Sequence, residues 1–328
     1  MSAPTAGASR PATTPARPRR LRGLAWLLTR QHRTAVLICA ALTVGGAAWI
    51  LFERAAMLDA LHAAGWPATS PRAVDQAVRD RAANGLESAG SMLALLPVLF
   101  GVLLGAPLVA DDREHGTARL IATQSVPRVR WLLWKLCFAL TLAAVPTAVL
   151  SLLYSWWLES VGDLAPGNWL AGPAFGATGP VLVASALFCT ALGITIGAVA
   201  GRSLTSMVAT FFASGAALFA AELLRERLAT PRTLAYPLSA DPPAALEHVV
   251  QVDQWVGTAS GKLYGWSTCV HDSAPEACRA SLGIVNSVWE YFGPDQMAGM
   301  QWTAAGIFLG PTVLLVGAFL RWARHSAL

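Results

Sequence analysis

The chain has 328 residues, 55% of them hydrophobic and only 13% charged, with 24 Lys and Arg against 19 Asp and Glu. An average soluble domain carries about 25% charged residues, so this composition and a mean hydropathy of +0.49 argue against an ordinary water-soluble enzyme or binding module. The net charge of +5 is unevenly placed, and its placement orients the chain.

In chain order, residues 1–19 are Ala, Pro, Thr, Ser and Arg with almost nothing to bury, which predicts a disordered basic tail. Arg17, Arg19, Arg20 and Arg22 fit an orientation signal and a ligand for anionic lipid better than a nucleic-acid arm. Residues 20–33, RLRGLAWLLTRQHR, set Leu21, Leu24, Trp26 and Leu28 against Arg20, Arg22, Arg30 and Arg33. That pattern predicts an amphipathic helix in the headgroup layer; a plain extension of the first span accounts for it nearly as well. The first apolar run starts too late and runs too long for a cleaved signal peptide.

Six runs then approach the roughly 20 residues a helix needs to cross about 30 Å of hydrocarbon. They are Thr34–Phe52, Ser91–Ala110, Leu136–Leu158, Pro180–Ala200, Leu204–Ala221 and Gln301–Leu320, and none contains Asp, Glu, Lys, Arg or His. A β-barrel would instead show short alternating segments. The expectation is an all-α integral membrane protein with six transmembrane helices. Only Gly201, Arg202 and Ser203 separate the fourth and fifth runs. The pair is either a tight hairpin or one long broken segment; the hairpin is expected, because Arg202 is costly in hydrocarbon and belongs at an interface.

Six crossings put the N-terminus, loop 111–135, the 201–203 turn and tail 321–328 on one side, with 15 Lys and Arg and three acids. The other side holds 53–90, 159–179 and 222–300, with nine Lys and Arg and 16 acids. Cytoplasmic loops collect Lys and Arg, so both termini and loop 111–135 are expected to be cytoplasmic. Of the extracytoplasmic parts, 53–90 reads as two helical pieces broken at GWPATSPR, with Ser70 capping a turn at Pro71, and 222–300 as a compact cap of short helices. Trp49, Trp131, Trp134, Trp156, Trp157, Trp302 and Trp322 lie near span ends, as in interfacial belts. Gly101 and Gly105, Gly193, Gly197 and Gly201, and Gly306 and Gly310 recur four apart, a spacing that lets helices approach closely. Pro97, Pro146 and Pro311 should kink their spans.

Cys39, Cys137 and Cys189 fall in apolar runs, while Cys269 and Cys278 lie on the outer side, where disulfides persist, and are expected to be bridged. A metal pair helped by His271 and Asp272 lacks repeated short-spaced ligands, so no metal is expected. With no Asp, Glu, Lys, Arg or His in any apolar run, a proton relay through the bilayer has no stations. No Walker A motif is present; GTASGKL at 257–263 is one residue short and lacks the hydroxyl after Lys262. Glu247–His248 and His271–Asp272 are isolated pairs, so no catalytic residue and no cofactor of the chain's own are expected.

The remaining feature is ADDREHGTARLIATQSVPRVRWLLWK, residues 110–135. It begins with acids, and Thr117 can cap a two-turn helix that carries Leu120 and Ile121 and stops at Pro127. Arg128, Arg130 and Lys135 then return the chain to the headgroups. So short a helix does not hold itself in water, and it is expected to pack on its own bundle or in a groove of a soluble partner.

The pattern of Asp112, Glu114, Gly116, Thr117, Leu120, Pro127, Arg128 and Lys135 resembles the first cytoplasmic loop of ABC-2 type transporter permeases, the membrane subunits of ATP-binding-cassette exporters. In that family the loop follows the second of six spans, as here, and 20–33 is similar to its interfacial helix. The resemblance implies that residues 116–122 form a coupling helix seated in a separate nucleotide-binding subunit, which binds ATP and Mg. Asp112, Glu114, Leu120 and Ile121 would form the contact. It also implies a homodimer or heterodimer in the cell membrane; a path lined by Trp-flanked apolar runs without charges suggests a lipid-like, amphiphilic or peptide cargo moving outward. The 222–300 insertion is longer than the brief re-entrant helices common in the family. A reading from another class is a non-transporting sensor or assembly module with a ligand-binding cap; co-purification with a Walker-motif protein separates the two.

Overall fold

The computed structural model describes residues 24–70, 73–116, 127–164 and 168–325, among which six helices are long and apolar enough to cross a membrane. A short helix, Leu24–Gln31, leads into span 1, Arg33–Ala63. Span 2 is one rod from Gln76 to Glu114, interrupted by a π-helical turn over Phe100–Gly105. Span 3 is Arg128–Val161, span 4 Val181–Ala200, span 5 Ser203–Leu223 and span 6 Met297–His325. All six predicted runs are therefore helical, and several helices continue well beyond their apolar stretch. Spans 4 and 5 form the expected hairpin, with Gly201 at φ +65°, a left-handed conformation suited to glycine.

The π turn has a cause in the sequence. Pro107 lacks an N–H and its ring crowds the carbonyl four residues earlier; widening the preceding turn relieves that, and Ala106 N–H reaches back to Gly101 O at 2.9 Å. In the 53–90 connection, Ser70 closes a turn through its carbonyl, which accepts from Ala73 N–H at 2.9 Å. The helix is capped by Asp75 instead, whose carboxylate accepts from Ala77 N–H at 2.8 Å.

Span 4 is the centre of the bundle, with 67% of its apolar window buried against 11% for span 1. Large side chains such as Leu37, Phe52, Leu152 and Val313 remain exposed on the periphery. Such a surface is a liability in water and the natural face toward acyl chains. Spans 2 and 4 meet backbone to backbone. A methyl on Gly105 would stand 2.5 Å from Thr190 O, and methyls on Gly193 and Gly197 would overlap the carbonyls of Gly101 and Ala106. Gly306 and Gly310, on span 6, face open space. Not every tryptophan is interfacial: Trp302 is exposed, but Trp157 is buried, its Nε1–H directed at Met57 Sδ at 3.4 Å.

The 222–300 insertion corrects the expectation of short helices. It holds a four-stranded antiparallel sheet in the order β1-β4-β2-β3, with β1 Arg232–Pro237, β2 Val250–Thr258, β3 Leu263–Gly265 and β4 Ile284–Phe292. The strands are rich in β-branched and aromatic residues that favour a pleated surface, and they pair Leu234 with Trp289 and Trp255 with Val288. The cluster of Val256, Cys269 and Ile284 fills one end, where Cys269 and Cys278 are joined with Cα atoms 5.7 Å apart. At the other end Val250 and Phe292 pack with Trp169, Phe175 and Met300 and seat the sheet on the bundle.

Candidate functional site

The end of span 2 that leads into loop 111–135 carries Asp111, Asp112, Arg113 and Glu114 in a row. Successive residues on a helix point about 100° apart, so consecutive polar side chains there face different neighbours. Asp112 is buried and pairs with Lys135 of span 3 at 2.5 Å; Lys135, 1% exposed, also donates to Leu108 O at 2.9 Å and lies 4.2 Å from the Trp131 ring centre. Arg113 donates to Ala198 O of span 4 and stands 5.7 Å from the Trp322 ring of span 6. A side chain at Gly201 would come within 3.3 Å of that guanidinium carbon, a second reason for glycine at the hairpin. Glu114 accepts from Ser203 N–H at 2.8 Å, at the first turn of span 5, where unpaired amides and the helix dipole favour an anion.

Three consecutive residues therefore tie span 2 to spans 3, 4, 5 and 6 at the base of the loop. The loop's two ends are joined by the Asp112–Lys135 pair. Such a buried pair is a strong constraint, because removing one partner leaves an uncompensated charge.

Of the residues singled out from sequence, Asp112 and Glu114 belong to this hub, facing the bundle. Gly116 ends the described part of the first arm at φ +68° and is exposed. Pro127 precedes the first turn of span 3, which begins at Arg128. Thr117, Leu120 and Ile121 lie outside the described residues. Lys135, expected at the headgroups, is inside the bundle because span 3 starts eight residues before its apolar run and turns this side chain toward span 2. Arg113 and Ser203 were also missed. The available signal was four consecutive charges, Asp111 to Glu114, and a lysine just ahead of an apolar run.

At the other end of the bundle, Gln301 of span 6 donates to Thr178 Oγ1 at 2.7 Å and Phe175 O at 3.2 Å. Arg225, just after span 5, pairs with Glu222 at 2.5 Å and donates to Leu170 O at 2.8 Å. Burial pulls the Arg225 guanidinium below its ordinary pKa, and Glu222 opposes that pull. Among the described residues no cluster of His, Cys, Asp or Glu has the makings of a metal site.

The geometry is that of a multi-pass membrane protein with one braced loop base. No curated protein matches the chain, and no solved structure matches it. The model of a family described as ABC-2 membrane transporter related matches residues 40–225. That stretch is more than half of the chain and runs from span 1 through the loop and hub to the end of span 5, so the chain belongs to the ABC-2 membrane transporter related family.

Proposed function

We propose that this transport permease is the membrane half of an ATP-driven exporter, and that loop 111–135 receives force from a separately encoded nucleotide-binding subunit. ATP and Mg belong to that partner. Two copies, or this chain and a second permease, form the membrane unit in the plasma membrane. The excess of Lys and Arg on the loop's side supports a cytoplasmic loop and cytoplasmic termini. The apolar runs within the spans, which carry no charge, support an amphiphilic cargo.

The observation that carries the reading is the hub. Coupling requires a contact whose free energy differs between two arrangements of the spans, and a push on a free loop would be dissipated. Here the first arm is fastened by Asp112, Arg113 and Glu114 to four other spans, and the second arm returns through Lys135 to the same point. Displacing the loop displaces the bundle.

The test is reconstitution with an ATP-binding-cassette ATPase that co-purifies with the chain; failure to find one would overturn the reading. Leu120→Asp with Ile121→Asp is expected to abolish the complex or uncouple ATP hydrolysis from transport while the permease stays monodisperse. Transport at the normal rate by that variant would sink the reading. So would modification of Thr123→Cys by a membrane-impermeant thiol reagent added outside intact cells.

A further inference from the structure

Spans 2, 4, 5 and 6 line a cavity of ≈ 160 Å³ in the half of the bundle away from Leu24 and His325. Its walls include Ala94 and Pro97 of span 2, Leu182 of span 4, Leu218 of span 5, and Ala304 and Phe308 of span 6. Spans 5 and 6 each pack along span 4 and barely meet one another, so the cavity has a side toward the surrounding bilayer. Ile307 and Leu224, both exposed, stand at that rim.

The interior offers a guest little to hydrogen-bond. Its deeper polar residue, Ser185, turns its hydroxyl to Leu182 O at 3.0 Å. The polar groups gather at the mouth, just past the apolar run of span 5. Arg225 there is held by Leu170 O, Gly172 O and Glu222, with its guanidinium 5.2 Å from the Phe175 ring centre. Glu222 remains 43% exposed beside it.

In a bilayer, a sideways apolar opening is filled by hydrocarbon, since water there would lose its hydrogen bonds. The mouth discriminates among heads. A purely anionic head meets the Glu222 carboxylate, a purely cationic one meets the guanidinium, and a head bearing both charges meets each with its opposite. We propose that this cavity binds one hydrocarbon chain of a zwitterionic phospholipid, inserted between spans 5 and 6 with its head on the Glu222–Arg225 pair. The site needs the spans to lie in a bilayer with the cleft between spans 5 and 6 facing lipid, and it does not need ATP-driven transport.

The test places the full chain in liposomes of phosphatidylcholine carrying a diazirine at the acyl-chain end, followed by irradiation and peptide mapping. Adducts are expected on Leu218, Ala304, Ile307 or Phe308 in excess of those on outward positions such as Leu152 and Val313. They are expected to fall when the label is carried by phosphatidylglycerol, and Glu222→Gln should erase that preference. Ala304→Trp, which fills the cavity, should remove the adducts there and leave those on Leu152. Ala221→Phe closes it from span 5 and serves if the first variant does not fold. Equal labelling of cavity and outward positions would mean annular lipid only and overturns the proposal, as does labelling unchanged by both fillers. Absence of cavity adducts, as when a second copy of the chain covers the cleft, overturns it too, and equal labelling by the two lipids overturns the zwitterionic head.

Discussion

At the end of the bundle that carries Leu24 and His325, residues 112–114 reach spans 3, 4, 5 and 6 by ion pair, hydrogen bond and ring contact. At the opposite end the polar side chains bind mainly to the 168–179 connection, and spans 5 and 6 stand apart around an apolar cavity. The first arrangement ties the spans to one another by polar contacts, whereas at the second spans 5 and 6 share only apolar packing around the cavity. Under the proposed function that asymmetry has a use: a braced end would take up a load as one body, and the change of shape would appear where the polar ties are absent.

The largest expected effect comes from attacking the braced end through its backbone contact. Gly197→Leu would drive a side chain into the Ala106 carbonyl, and backbone on both sides cannot yield as a side-chain tip does. Monodisperse protein is expected to disappear from size-exclusion profiles. Gly306→Leu, in open space on span 6, is the control and should purify normally. Should both variants behave alike, the glycine seam is not what holds spans 2 and 4 together.

Next comes the buried pair. Asp112→Ala leaves the Lys135 ammonium without its partner, which costs about 3–5 kcal/mol in comparable buried pairs and is read as a lowered Tm. Asp112→Leu with Lys135→Met replaces the pair with apolar volume and should recover most of that stability. If the double variant is stable yet no longer couples to the ATPase, the charges serve transmission rather than folding. Arg225→Met at the opposite end is expected to cost less, about 1–3 kcal/mol, for the Leu170 and Gly172 carbonyls left unmatched. A larger loss there than at Asp112 would reverse the proposed contrast between the ends.

How far the sequence revealed this contrast depends on the kind of order. The six spans were legible because an uninterrupted apolar run of bilayer length has few alternatives, and the hairpin was favoured over one long broken segment because Arg202 is costly in hydrocarbon. The hub was half legible. Asp112 and Glu114 stood out by charge, but Lys135 looked like a headgroup anchor, since helix ends cannot be read to the turn when polar residues extend a span beyond its hydrocarbon part. Pro107 was hidden inside an apolar run, and with it the π turn. The sheet escaped the expectation of short helices because Pro231, Pro237, Pro242 and Pro243 cut the 222–300 stretch into pieces short enough for either element. VQVDQWVGT and IVNSVWEYF carried the period-two and β-branched signal of strands. Pro237 closes an edge strand, where a missing N–H does no harm.

The smallest expected effect is also the one that tests whether the hub is a unit. Glu114 is exposed, and its carboxylate accepts one backbone N–H at the start of span 5. As an independent capping contact it should stabilise by about 0.3–1 kcal/mol, with solvent screening pulling the value down. Glu114→Ala should therefore move Tm slightly, and Glu114→Gln, which keeps the acceptor and loses the charge, should move it less. The informative measurement is the pairing with Asp112→Ala, since independent contacts add and members of one network do not. Additive losses would describe three separate fastenings at one place. A double variant little worse than Asp112→Ala alone would mean that Glu114 holds span 5 only while the buried pair holds span 3, so that the end of span 2 moves as a single lever.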